Sequence, residues 1–124
     1  MTYAFIVMGA AVGAPLRYFL STRLQETASG SFPYQTLAVN LTGCFAIGVV
    51  ATVAEQRDFL NREARLFLLV GLLGSYTTFS TFGWETLTLL RTNEVIQAAQ
   101  YVLLSSLGGL LAVWAGMVCA RWAT

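Results

Sequence analysis

Four long apolar segments constrain what this chain can fold into more than any other feature of its sequence. Each is long enough to cross a bilayer, because about 20 mostly apolar residues in a helix cover a ~30 Å hydrocarbon core. Polar or turn-rich stretches separate them. The segments run from about Tyr3 to Leu24, Tyr34 to Ala54, Ala64 to Leu90 and Val95 to Trp122. We predict an all-α membrane protein with one four-helix transmembrane domain over residues 1–124.

The composition supports a bilayer location and argues against several classes of soluble protein. The chain is 56% hydrophobic and 10% charged, against about 25% charged in soluble domains. A net charge of +1 is too neutral for a nucleic-acid binder. There is no His and no nucleophile–base pair, which argues against an enzyme. Cys44 and Cys119 lie in apolar stretches and are interpreted as packing residues.

Arginine placement gives almost no signal for orientation. One side of the membrane would hold Arg57, Arg62, Arg65 and Arg121, and the other Arg17, Arg23 and Arg91. Orientation normally follows an excess of Lys and Arg in cytoplasmic loops. A split of four arginines against three predicts insertion in both directions. If one arginine were assigned to the wrong side, a weak bias for one orientation would remain. Two oppositely inserted copies can pair through the same surface, which predicts an antiparallel dual-topology homodimer.

Polar residues inside the first two segments need a partner or a function. Arg17 lies some fifteen residues into the first segment, where it either snorkels outward or supplies positive potential to an aqueous vestibule. Asn40 offers two N–H donors without net charge, for an anion or for a neighbouring helix. Thr36 lies one turn earlier on the same face and adds a hydroxyl.

The third segment contains a run that argues against a continuous helix. Gly71 and Gly74 precede a cluster of Ser and Thr residues, whose hydroxyls compete for backbone hydrogen bonds. We predict an interruption here, and freed carbonyls at such a break can hold a cation. Phe79 and Phe82 share a face at i, i+3, and their ring edges carry partial positive charge that a small anion can approach.

Further polar residues follow the run. Glu85 lies one turn beyond Thr81, where it either ends a polar line or caps the helix. Tyr101 and Ser105 share one face of the fourth segment and are expected to donate toward Phe79 or Phe82, or to make structural hydrogen bonds.

Small residues at four-residue spacing predict close helix packing. Gly9 and Gly13 form one such pair, and Gly108, Ala112 and Gly116 form a longer row.

Taken together, these motifs resemble the Fluc (CrcB) family of bacterial fluoride channels over nearly the whole chain. The first-segment stretch from Gly9 to Tyr18, the asparagine motif from Thr36 to Gly43 and the Gly-x-x-Gly-x-x-Thr-Thr-Phe-Ser-Thr-Phe run from Gly71 to Phe82 carry the resemblance. The family implies an antiparallel homodimer with two fluoride pores in the bacterial plasma membrane. It implies passive export of cytoplasmic fluoride.

The resemblance also implies roles for individual residues. Phe79 and Phe82 would contact fluoride through ring edges, and Asn40 would donate to it. Gly74 and Thr77 would give backbone carbonyls to a structural sodium ion at the dimer interface. The remaining pore residues would be Thr36, Ser80, Thr81, Tyr101, Ser105 and Arg17. Gly109 stands where some relatives carry a further serine.

The main alternative is a small multidrug exporter, which is also a short dual-topology four-helix dimer. Its chemistry needs a membrane-embedded carboxylate in the first helix, whereas the first acid here is Glu26, expected in the following loop. A structural or assembly subunit without transport would require the break in the third segment to be incidental.

Overall fold

The structure is a computed structural model that describes residues 1–124. Helix α1 spans Thr2–Thr27, α2 spans Tyr34–Gln56, and the last helix, α5, spans Val95–Ala123. The third span is divided into two helices, α3 over residues 62–76 and α4 over Phe79–Arg91. The chain has no strand. Four spans are long and apolar enough to cross a membrane, as the sequence predicted.

Helix α3 changes its winding along its length. It begins as an α-helical turn over Arg62–Arg65, and the Asn61 side chain caps it by accepting from the Ala64 amide at 2.8 Å. It continues as a π-helix over Leu66–Leu73 and ends with the single turn Gly74–Tyr76. Such wide turns are rare and often occur at functional sites. Nothing in the sequence pattern predicts this π-helical segment.

The first connection is shorter than expected. Helix α1 continues to Thr27, so Glu26 lies in its last turn and not in the loop that follows. There Glu26 lies 4.0 Å from Arg23, with both side chains exposed. The i, i+3 spacing places the two charges on one helix face.

Glycines allow two pairs of helices to approach closely. A Cβ added at Gly9 of α1 would meet the Phe67 carbonyl oxygen and the Leu72 amide nitrogen of α3. A Cβ added at Gly116 of α5 would likewise meet backbone atoms of α2. Backbone atoms cannot move aside as a flexible side chain can, so only glycine fits at these crossings. The predicted packing role is confirmed at Gly9, Gly13 and Gly116.

Contacts between connections show which ends of the helices lie together. Ser31, after α1, contacts Glu94, which precedes α5. At the opposite end, Arg57 donates to the Thr124 carbonyl at 3.1 Å, and the Thr124 hydroxyl donates to Gln56 at 2.8 Å. The first and third connections therefore share one side, and the second connection lies with the last residues on the other.

Most of the chain's surface is apolar and uncovered. Only 19 of 124 residues are buried, far fewer than a water-soluble chain of this length would need for its core. A small core joins α2, α4 and α5 through Leu37, Leu89, Ala98 and Tyr101. Large apolar side chains elsewhere point outward, as expected for helices that face lipid or another apolar surface.

Candidate functional site

The third span is interrupted at Thr77 and Thr78, inside the run predicted to break. Both residues are extended, with φ −84° and ψ 158° at Thr77 and φ −148° and ψ 117° at Thr78. The carboxyl end of α3 and the amino end of α4 therefore meet in mid-span. Carbonyls at the first end favour a cation, and N–H groups at the second favour an anion.

Asn40 of α2 holds this break open. Its Nδ2 donates to the Thr78 carbonyl at 3.0 Å, and its Oδ1 accepts from the Thr78 amide at 2.8 Å. In a continuous helix the Thr78 amide would donate to the Gly74 carbonyl. Here that amide donates to Asn40, so the Gly74 carbonyl has no helical donor. The Asn40 amide has two N–H donors, so one remains after the bond to Thr78.

The Thr78 side chain caps α4. Its hydroxyl accepts from the Thr81 amide at 3.2 Å and donates to the Thr81 hydroxyl at 3.0 Å. The Ser80 hydroxyl lies 3.4 Å away. Thr78 was not assigned a role from the sequence, although a threonine just before a helix start is a capping signal. The cap places the exposed Ser80 and Thr81 hydroxyls at the amino end of α4.

A cavity of about 350 Å³ opens beside the break. It gathers six of the predicted site residues: Asn40, Gly74, Thr77, Phe79, Phe82 and Ser105. Its other lining residues are Gly43, Cys44, Ile47, Leu73, Thr78 and Ser106. The buried hydroxyl of Ser105 has no hydrogen-bond partner. A buried polar atom without a partner is rare and costly. Because Ser105 lines the cavity, its hydroxyl is free to bond to a ligand bound there.

The two phenylalanines lie side by side at the cavity. Their ring centroids are 5.5 Å apart with a tilt of 46°. Phe82 also packs against Tyr101 at 5.1 Å, whereas Phe79 is 83% exposed. The ring edges are the electropositive part of such a π system.

Glu85 is the centre of a polar cluster behind Phe82. Its carboxylate accepts from the Thr36 hydroxyl and from the Tyr101 hydroxyl, each at 2.7 Å. Thr36 and Tyr101 are buried, and none of the three residues lines the cavity. Tyr101 thus donates to Glu85 and not toward a phenylalanine. Its hydroxyl makes a structural hydrogen bond, the second of the two roles that the sequence left open. The cluster fixes the position of Tyr101, against which Phe82 packs.

Arg17 approaches the break from the other side. Its Nη1 donates to the Thr77 carbonyl at 3.4 Å, and the side chain is partly buried. The guanidinium therefore turns toward α3 and does not line the cavity. The sequence left open outward snorkelling or a place at a vestibule, and neither anticipates this contact with the Thr77 carbonyl.

Two backbone carbonyls at the break suit a hard cation. The Gly74 carbonyl has lost its helical donor, and Gly74 itself is exposed. The Thr77 carbonyl accepts the long bond from Arg17 and keeps a second lone pair. Oxygen ligands are those that hard cations prefer, so these residues fit the ion that the resemblance implies. The chain contains no cluster of His, Cys, Asp or Glu that could hold a transition metal.

Comparison with known proteins places these features in a family. The family described as "CrcB-like protein, Camphor Resistance (CrcB)" matches residues 4–117. A protein named "Fluoride-specific ion channel FluC" from Chloroflexus aurantiacus is 42% identical over 117 residues, covering 94% of this chain and 93% of the relative. The proteins of the same name from Paramagnetospirillum magneticum and Flavobacterium psychrophilum are 42% and 35% identical, covering 97% of this chain and 95% and 97% of themselves.

Proposed function

The chain belongs to the CrcB-like family, and on this premise we propose that it is a fluoride-selective ion channel. The single observation that supports the proposal most strongly is the cavity beside the broken third span, where the Ser105 hydroxyl and one N–H of Asn40 lack partners. The proposed physiological role is passive export of cytoplasmic fluoride across a bacterial plasma membrane. Four spans capable of crossing a bilayer and relatives named as ion channels support a multi-pass membrane protein that is not an enzyme.

The proposed pathway uses weak donors in place of strong charges. Fluoride is small and strongly hydrated, so the pathway must replace its water at low cost and still release it. The free N–H of Asn40, the unpartnered Ser105 hydroxyl and the edges of Phe79 and Phe82 supply such donors. The amino end of α4 adds positive potential. Fixed donors in a narrow passage disfavour the larger chloride ion.

The polar residues outside the cavity extend this pathway. The Ser80 and Thr81 hydroxyls lie exposed at the amino end of α4. There they can donate hydrogen bonds to the ion along its path. We assign Thr36, Tyr101 and Glu85 a supporting role, because they bond to one another behind Phe82. Arg17 supports the break from the other side through the Thr77 carbonyl.

We further propose that two oppositely oriented copies form the channel. Irregular backbone at membrane depth is tolerated only when protein covers it or when it lines an aqueous cavity. In a single chain the break is open: Phe79 is 83% exposed, and Gly74, Ser80 and Thr81 are also exposed. A second copy related by a two-fold axis in the membrane plane would cover this face with the same surface, and the balanced arginines permit that orientation.

A sodium ion is the proposed structural cofactor of this pair. The Gly74 and Thr77 carbonyls of each copy would hold it, which gives four oxygen ligands when two copies meet. Bound there, the ion would supply positive charge that satisfies carbonyls left without helical donors. The chain's own contribution is to keep those carbonyls free, through the Asn40 bonds to Thr78.

A multidrug exporter is a poorer fit to the residues. Exchange of protons for a cationic drug needs a carboxylate inside the membrane in α1. The acid in α1 is Glu26, which lies in the last turn, exposed and next to Arg23. The family relatives also carry the name of a fluoride channel and not of a drug exporter.

Fluoride efflux from liposomes carrying variant proteins tests the proposal. We expect Phe79→Ile and Phe82→Ile to slow efflux by tenfold or more, because isoleucine has no electropositive edge. Phe19→Ile is the matched control, since Phe19 lies in a span, exposed and away from the cavity. If both cavity variants conduct fluoride as fast as the control does, the phenylalanines take no part in fluoride conduction.

Dual topology is tested by the accessibility of a tag at the carboxyl end. In right-side-out membrane vesicles, the proposal expects about half of the tags to react with an impermeant reagent. A single orientation would contradict the antiparallel pair while leaving fluoride conduction untouched.

A further inference from the structure

We infer that Arg17 opposes cation binding at the Thr77 carbonyl. It thereby raises the sodium concentration at which the ion stabilises the folded protein. This inference rests on the sodium site of the proposed function. It goes further by giving the residue that regulates that site. A structural ion and a basic side chain would then both lie against one backbone oxygen, and their positive charges would repel each other.

The geometry places two cations at one atom. Arg17 Nη1 lies 3.4 Å from the Thr77 oxygen, which is beyond the common range for an N–H···O bond. The bond is weak, and a carbonyl oxygen has two lone pairs. A cation can therefore bind the same oxygen without displacing the guanidinium. It must then lie close to that positive charge.

No carboxylate neutralises Arg17. The one ion pair in the chain joins Arg23 and Glu26. Glu85, the acid of the neighbouring polar cluster, accepts from Thr36 and Tyr101 instead. The remaining acids lie in loops or at helix ends: Glu55, Asp58, Glu63 and Glu94. The guanidinium thus keeps its full charge beside the cation's ligand.

The charge has two opposite effects on the break. Without sodium, Arg17 stabilises it by giving the Thr77 carbonyl a donor at membrane depth, where an unpaired carbonyl is costly. With sodium, the same charge repels the ion. Two unit charges about 4 Å apart alter a binding constant by about fivefold even under water-like screening, and by more when partly buried. In a symmetric pair, both copies would contribute a guanidinium.

Removing the charge should therefore change stability in a sodium-dependent way. Arg17→Met keeps a long apolar stem but removes both charge and donor. We expect it to unfold at lower temperature than wild type when sodium is absent. We also expect the midpoint of its sodium titration to fall at least fivefold. The difference in unfolding temperature between the variant and wild type should therefore shrink as the sodium concentration rises. A purely structural arginine would lower the unfolding temperature equally at all sodium concentrations.

The experiment is a thermal unfolding series of the full-length protein in detergent. Sodium chloride is exchanged for N-methyl-D-glucamine chloride, so that ionic strength stays constant. Arg17→Lys keeps the charge and should titrate within about twofold of wild type, which guards against misfolding of the methionine variant. Arg23→Met is the matched control, because Arg23 lies on the same helix, is exposed and pairs with Glu26 instead of Thr77.

Three results would overturn the inference. These are an unchanged or higher sodium midpoint in Arg17→Met, a parallel loss of stability at every concentration, or a wild-type protein that does not respond to sodium. Fluoride efflux from the same preparations reports the proposed function separately. Rapid efflux from a protein that ignores sodium would refute the role of Arg17 and leave the channel intact.

Discussion

Truncation of Asn40 is the perturbation whose consequence follows most directly from the structure. The side chain makes two bonds to the Thr78 peptide, at 3.0 Å and 2.8 Å, and it is partly buried. Each bond contributes about 1 kcal/mol net, and a buried group left unpaired costs about 1–3 kcal/mol. Measured membrane hydrogen bonds average about 0.6 kcal/mol. We therefore expect Asn40→Ala to lower the free energy of unfolding by about 2 kcal/mol.

The assay is reversible unfolding in mixed micelles, followed by circular dichroism as the denaturing detergent is increased. Protein concentration is held fixed, because pairing of copies would shift apparent stability. Gln100→Ala is the control, since it removes an amide from an exposed position that makes no side-chain hydrogen bond in the structure. An Asn40→Ala protein within about 0.5 kcal/mol of wild type would refute the claim that Asn40 holds the break.

Two further substitutions test packing and the polar cluster. Gly9→Ala should destabilise the chain by about 1–3 kcal/mol, because its Cβ meets backbone of α3. Gly83→Ala, where nothing lies within 4 Å of an added Cβ, should be neutral or stabilising, and equal thermal unfolding of the two would contradict this packing. Tyr101→Phe removes one of the two donors to Glu85 and should cost about 1–2 kcal/mol in the detergent titration. Tyr18→Phe, at a 73% exposed position, should change stability by less than about 0.5 kcal/mol; a similar loss in both would show that the Glu85 bond is not what matters.

The spans were predictable because bilayer thickness imposes a length that sequence displays directly. The break was predictable for a related reason: glycines followed by five Ser and Thr residues weaken a helix wherever they occur. Predicted bounds differed from the observed helices by a few residues. The largest consequence is at Glu26, which lies in the last turn of α1 and not in the loop that follows.

What the sequence could not provide was the pairing of side chains between spans. Asn40 and Thr78 are 38 residues apart, and Thr36 and Glu85 are 49 apart. No local pattern links such residues, since the contact depends on how α2 crosses the break. The π-helical winding of Leu66–Leu73 is equally hidden, because the apolar sequence there is compatible with an ordinary α-helix.

The partnership of Arg17 with the Thr77 carbonyl shows the same limit. Sequence placed an arginine at membrane depth and left its direction open. The structure directs it to the backbone of α3, which no periodicity of α1 could indicate. Similarly, Ser105 shares a helix face with Tyr101, yet one hydroxyl is unpartnered at the cavity and the other bonds to Glu85.

The central claim is that this protein conducts fluoride in preference to larger anions. Its most direct test is efflux from liposomes that contain the purified wild-type protein and equal internal concentrations of potassium fluoride and potassium chloride, with a potassium ionophore present so that potassium leaves with each anion, and with each anion followed by its own electrode. The account predicts rapid loss of fluoride, with chloride retained as in protein-free liposomes. Chloride efflux as fast as fluoride efflux, or no protein-dependent loss of fluoride, would contradict it.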